Sequence, residues 1–262
     1  HLQRNAIFAP MAKKIIVGNW KMHIDERAAA RKLALELRKK TRGLSGVEVM
    51  VAPPLLFLPE VAAVLLSSPI KVGSQTVSAY AEGAHTGDAS ADMLKESGAN
   101  FSIIGHSERR AMGESNDIVR GQLERTLESK LAPILAIGER ERDKEGEHFE
   151  FIEKQITSAI KSFPYKLNKL IIAYEPVWAI GKRSDEAMKA QDLQEMTIFI
   201  RKVLTEILGR PAALKVPILY GGSVDETNVE PLLKEGGVAG FLIGRASTEL
   251  QSFLQIIELC RK

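Results

Sequence analysis

Glu175 stands where an apolar run stops, in the stretch Leu170-Ile171-Ile172-Ala173-Tyr174-Glu175-Pro176-Val177-Trp178-Ala179-Ile180-Gly181. The run is short, apolar and bounded by polar residues, the pattern of a buried strand in a parallel sheet. Glu175 therefore falls at the carboxyl end of a strand, the rim on which α/β sheets and barrels bind ligands. Pro176 cannot donate to a ladder and ends the strand. Gly181 gives backbone freedom at the far end of a loop over Pro176, Val177, Trp178, Ala179 and Ile180 that reads as mobile.

The other apolar runs are followed by chemically useful residues as well. Gly18-Asn19-Trp20-Lys21 comes after the first run and Gly105-His106-Ser107-Glu108-Arg109-Arg110 after the fourth. Gly221-Gly222-Ser223 follows the seventh, and Gly244-Arg245-Ala246-Ser247 the eighth. Taken singly, each has a plainer reading: Lys21 as a solvated cation, His106 as a satisfied structural histidine, the glycines as turns. Together on one rim they make a set. A carboxylate on a partly desolvated rim acts as a base toward a carbon acid. Removing a proton beside a carbonyl leaves an enediolate, and Lys21, the His106 N–H and the Asn19 amide are donors for its oxyanion. Glycine-rich turns leading into helices aim backbone N–H groups at an anion, with phosphate the usual guest. The five histidines, His1, His23, His85, His106 and His148, show no metal-ligand spacing, so no metal is expected.

Positioning such a set takes a succession of βα units, and the chain has the pattern for eight. The expected strands are Ile15–Val17, Val47–Val51, Ile70–Gly73, Phe101–Ile104, Pro133–Ile137, Leu170–Tyr174, Val216–Tyr220 and Gly240–Ile243, alternating with amphipathic stretches. Ala30, Leu33, Ala34 and Leu37 recur at helical spacing, as do Leu250, Phe253, Leu254 and Ile257. Leu193, Met196, Ile200, Val203, Leu204 and Ile207 mark a third helix. A length of 262 residues suits one α/β domain, a (β/α)8 barrel.

Composition narrows the partners. Lys and Arg number 36 against 33 Asp and Glu, a net +3 with the signs interspersed, which argues against nucleic acid. No run approaches the roughly 20 apolar residues of a membrane span. Cys260 is the sole cysteine, so no intrachain disulfide forms and a reducing, cytoplasmic setting is expected. His1 to Pro10 lack the layout of a signal peptide. Met11 is expected to be the natural start, with residues 1–10 a non-native extension and 11–262 the catalytic domain.

Four stretches resemble triosephosphate isomerases closely and in that family's order: Gly18-Asn19-Trp20-Lys21-Met22, Gly105 to Arg110, Tyr174 to Gly181, and Tyr220-Gly221-Gly222-Ser223-Val224. Ser78 to Gly87 resembles the family's intersubunit loop. The resemblance runs from Met11 to the C-terminus and implies a single-domain (β/α)8 (TIM) barrel. It implies a cofactor-free isomerase of a small phosphorylated triose, working as a homodimer through the Ser78 to Gly87 loop. It also implies that Glu175 is the base, His106 the neutral electrophile, Asn19 and Lys21 the substrate-oxygen contacts, and Glu108 the partner of Lys21. The phosphate then falls to the backbone N–H groups of Gly181, Ser223, Gly244 and Arg245. Other readings on the same barrel are a different phosphosugar isomerase or an aldolase, or a phosphate-binding barrel without turnover. Three positions depart from the family's pattern: Lys182 to Glu186 in the second lid hinge, Arg245 in place of a glycine, and Ala136 in place of a cysteine.

Overall fold

The computed structural model describes residues 13–143, 145–163, 167–182 and 188–261. The proposed extension His1 to Pro10 and the start at Met11 lie outside the described residues, as do residues 183–186 of the expected second lid hinge. Eight strands close into one all-parallel barrel in sequence order. They are β1 (Lys14–Asn19), β2 (Val47–Ala52), β3 (Lys71–Ser74), β4 (Phe101–Ile104), β5 (Ala132–Ile137), β6 (Ile171–Tyr174), β7 (Ile218–Tyr220) and β8 (Gly240–Ile243). The boundaries expected from apolar runs hold for β4 and β8. β1 runs on through Gly18 and Asn19, because their pairing with Val51 and Ala52 of β2 continues the ladder past the apolar residues. β7 starts two residues later than expected, at Ile218.

Strands buried on both faces explain the unbroken apolar runs. Ile15, Val17, Met50, Phe101, Ile103, Ile134, Ile171 and Leu242 pack inside the barrel. Their neighbours Ile16, Val51, Ile104, Leu135 and Ile172 pack outward against the helices. The helix Arg27–Lys40 buries Ala30, Ala34 and Leu37, and the helix Ala190–Leu208 buries Leu193, Met196, Ile200, Val203 and Leu204. The helix Leu250–Leu259 buries Phe253, Ile256 and Ile257. The seam between β1 and β8 pairs Ile15 with Gly240, and there a Cβ on residue 240 would overlap the Ile15 backbone. Among the described residues no helix is long and apolar enough to cross a membrane.

Strand periodicity carries two functional residues inward. Ile15 and Val17 face the barrel interior, so Asn19 continues that face at the rim; Ile171 and Ala173 do the same for Glu175. In β4 the alternation would send residue 105 inward, but Gly105 takes φ +67 and breaks the phase. His106 is thereby turned over the mouth.

Candidate active site

Glu175 is 2% exposed, and its position is set from three sides. Its N–H donates to the Ile137 carbonyl at 2.7 Å, tying the exit of β6 to that of β5. Gly138 and Gly221 flank it: a Cβ on Gly138 would overlap the Glu175 carbonyl oxygen, and one on Gly221 would lie 2.7 Å from its Cγ. The carboxylate accepts the Ser107 N–H on Oε2 at 3.2 Å, and Oε1 lies 3.2 Å from His106 Nε2.

The protonation of His106 follows from its other nitrogen. His106 caps the short helix Ser107–Ala111, and its Nδ1 accepts the Glu108 N–H at 3.2 Å. An acceptor nitrogen carries no proton, so the ring is neutral and Nε2 bears the hydrogen, aimed at Glu175. His106 is buried, with 5% exposure.

Lys21 sits at φ +47, one of two non-glycine residues with positive φ among those described. Its backbone is braced by its own N–H to Asn19 Oδ1 at 3.1 Å and by Gln75 Nε2, which donates to the Lys21 carbonyl at 2.9 Å and to the Ala52 carbonyl at 3.0 Å. A left-handed lysine costs strain of about 1 kcal/mol. These bonds hold it there. Its ammonium donates to Glu108 Oε1 at 2.7 Å. Burial alone would raise the Glu108 carboxyl, but the hydrogen bond and charge of Lys21 outweigh it and hold that group below the usual carboxylate value.

On the far side of the mouth, Arg245 opens the 3-10 turn Arg245–Thr248, whose first N–H groups have no partner within the turn. Gly181 takes φ +71, a conformation a Cβ would strain. Ser223 is engaged with the loop after β6: its hydroxyl donates to the Ala179 carbonyl at 2.9 Å and its N–H to the same oxygen at 3.3 Å. The start of that loop is pinned beside β5, since Glu139 Oε1 accepts from both the Tyr174 hydroxyl and Trp178 Nε1 at 2.8 Å. Burial, then the adjoining Glu139 carboxylate, push the Tyr174 phenol well up, so it remains a donor.

A single cavity of about 500 Å³ gathers Asn19, Lys21, His106, Glu175, Gly181, Ser223, Gly244 and Arg245, the eight contact residues expected from the sequence. One carboxylate, one neutral imidazole donor and one ammonium thus face a common space, with backbone N–H groups opposite. The profile of the triosephosphate isomerase family matches residues 14–260. The chain belongs to the triosephosphate isomerase family. It is 39% identical to the triosephosphate isomerase of Thermus thermophilus over 95% of this chain and 99% of that one. It is 36% identical to that of Dictyoglomus turgidum over 94% of this chain and 99% of that one. With that of Dehalococcoides mccartyi the identity is 37% over 96% and 97%.

Among the departures from the family's pattern, Arg245 has no positive φ, so its Cβ carries none of the left-handed strain that a glycine would be needed to relieve. Ala136 is fully buried inside the barrel, a packing change. Of the second hinge only Lys182 is described, lining the cavity. Three positioning residues escaped the sequence reading. Gln75 follows β3, the least regular apolar run, and Glu139 follows β5 within Ile137-Gly138-Glu139; a search of every strand end for polar side chains finds both. The role of the Ser107 N–H is a backbone one and leaves no side-chain signal. His23 also lines the cavity.

Proposed function

We infer that the protein is a cofactor-independent aldose–ketose isomerase that interconverts dihydroxyacetone phosphate and D-glyceraldehyde 3-phosphate. The observation that carries this reading is the Glu175 carboxylate 3.2 Å from a His106 Nε2 whose partner nitrogen is already an acceptor. Glu175 takes a proton from the carbon beside the substrate carbonyl and returns it to the neighbouring carbon. The His106 Nε2–H and the Lys21 ammonium, with the Asn19 amide, hold the enediolate oxygens between the two transfers. Glu108 keeps Lys21 in place. The phosphate meets the N–H groups of Gly181, Gly244, Arg245 and Ser223, the last after releasing the Ala179 carbonyl as Pro176 to Ile180 close over the ligand. Proton transfer between adjacent carbons calls for no redox group and no metal.

The working form is a homodimer through Ser78 to Gly87. Tyr80 in that loop is 53% exposed and stacked on His85, and Met22 beside Lys21 is 90% exposed, apolar surface that a second copy would cover. A reducing cytoplasm suits the single buried thiol of Cys260. A coupled isomerisation assay tests the reading. Turnover of the triose phosphates is expected, and Glu175→Gln should lower kcat by roughly 10²- to 10⁴-fold while a phosphate ligand still binds. Parental kcat in that variant would remove Glu175 as the base.

A further inference from the structure

Arg142, between β5 and the helix Glu147–Ile160, stands where the start of the loop leaving β6 meets the helix Ala190–Leu208. Its guanidinium carbon lies 5.9 Å from the centroid of the Trp178 ring, within cation–π range. Its Nη2 donates to the Asp192 carbonyl at 3.3 Å. Nη1 is 3.9 Å from Asp192 Oδ1 and 3.7 Å from Glu195 Oε2, both on the first two turns of that helix.

The third carboxylate beside this guanidinium is Glu139, which is 1% exposed and whose Oε1 already accepts from Tyr174 and Trp178. Arg142 Nε lies 3.8 Å from the same oxygen, too far for a hydrogen bond. Neither Arg142 Nε nor Glu139 Oε2 makes a hydrogen bond among the described residues, and both atoms are buried. A buried donor and a buried acceptor left unused on neighbouring side chains are costly, unless another arrangement of the molecule employs them. That arrangement is one in which Trp178 Nε1 has left Glu139. The buried carboxylate would then keep only the Tyr174 hydroxyl, and Arg142 Nε needs to advance by about 1 Å to fill the vacancy.

We propose that Arg142 is a positioning residue for loop closure. Its cation–π contact holds Trp178 beside Glu139 in the arrangement seen here, and its Nε replaces Trp178 Nε1 on Glu139 when Pro176 to Ile180 close over the ligand. The inference rests on the isomerase reading of the site. A guanidinium that served only to tie down the helix would fork onto one carboxylate. Here the nearest oxygens of Glu139, Asp192 and Glu195 all stand at 3.7–3.9 Å, while the helix contributes a main-chain carbonyl. Loss of Arg142 takes a weak aromatic contact from the present arrangement and a charge-assisted hydrogen bond from the closed one, so closure suffers more.

The test uses the full chain labelled with 5-fluorotryptophan, since it holds two tryptophans, Trp20 and Trp178. Fluorine NMR follows Trp178 as 2-phosphoglycolate, a phosphorylated mimic of the enediolate, is added. Trp178→Phe identifies the resonance, and the fully buried Trp20 is the reference. The parent's Trp178 signal should shift on binding. In Arg142→Met the ligand-free Trp178 signal should already differ, because the cation over its ring is gone. The same variant should bind 2-phosphoglycolate about tenfold more weakly, or about 1.4 kcal/mol. Glu139→Gln is nearly isosteric and removes the charge that Arg142 takes up, so in that background the Arg142→Met penalty should shrink to within about twofold. If Glu139→Gln does not fold, the two Arg142→Met readouts decide alone. Equal affinity in parent and Arg142→Met, an unmoved Trp178 signal, or an undiminished penalty beside Glu139→Gln would overturn this inference while a parent that turns over triose phosphate keeps the isomerase reading. A parent with neither turnover nor 2-phosphoglycolate binding would overturn both.

Discussion

Gly221→Ala is the sharpest probe of how Glu175 is held. The added methyl would stand 2.7 Å from Glu175 Cγ and 3.3 Å from Oε1. An ordinary carbon–carbon contact needs about 3.5 Å, so one of the two must retreat by roughly 0.8 Å. The β7 backbone has little room to yield, because Gly221 N–H donates to the Tyr174 carbonyl at 2.8 Å. On the other side, Gly138 already touches the Glu175 backbone. The strain therefore falls on the Glu175 side chain, which swings within the cavity. A misplacement of about 1 Å in a reacting group costs on the order of 10² in rate, or about 2.7 kcal/mol of barrier. Steady-state kinetics in the coupled assay should show kcat reduced roughly 30- to 100-fold with KM little changed, since the N–H groups proposed to hold the phosphate are untouched. Overpacking should also cost about 1–3 kcal/mol in stability, read as a lower melting midpoint. A Gly221→Ala variant with kcat within about threefold of the parent would refute the idea that this glycine sets the place of the carboxylate.

Two further outcomes follow from other parts of the fold. Asp143 accepts the N–H groups of Glu147 and His148 at 2.8 and 2.9 Å and lies 3.0 Å from His148 Nδ1. Burial would raise its carboxyl, but these bonds prevail and hold it well below the usual carboxylate range. A depressed native value means stability that is present above the unfolded-state pKa and lost as pH falls through the native one. Asp143→Asn should thus melt below the parent at neutral pH, with the gap closing as acid is added below about pH 4; a gap that widens in acid would contradict this. Sedimentation at micromolar concentration should give a dimer of the 28.8 kDa chain, and a fully active monomer would remove the role assigned to Ser78 to Gly87.

The apolar runs were sufficient to find all eight strands because each is buried on both faces, as Phe101–Ile104 and Gly240–Ile243 show with every residue buried. Where the ladder outlasts the apolar residues the same signal fails: Asn19 is a strand residue by its pairing with Ala52, and nothing in an asparagine announces that. Seven of the eight residues expected at the site were legible because strand ends in a closed parallel barrel share one rim, and Gly181, which follows a loop, was added by the family resemblance. The bracing was not, because it runs through space between strands far apart in sequence. Gln75 reaches back to the carbonyls of Lys21 and Ala52, and Glu139 reaches forward to Trp178. The left-handed Lys21 and Lys130 were equally hidden, since side-chain type there points away from the backbone the structure adopts.

The seam between Ile15 and Gly240 joins positions roughly 225 residues apart, the longest reach in the sheet. On a ribosome adding about 5–20 residues per second, β1 would wait on the order of 10–45 s before β8 exists to cover its outer edge. Throughout that interval an apolar strand with one unpaired side is a template for pairing with another chain. The helix Arg27–Lys40 and β2 are synthesised long before β8 and can cover its other surfaces, but the edge itself stays open. Yield in a cell should therefore fall with slower elongation or scarcer chaperone, even for variants whose finished barrel is as stable as the parent's.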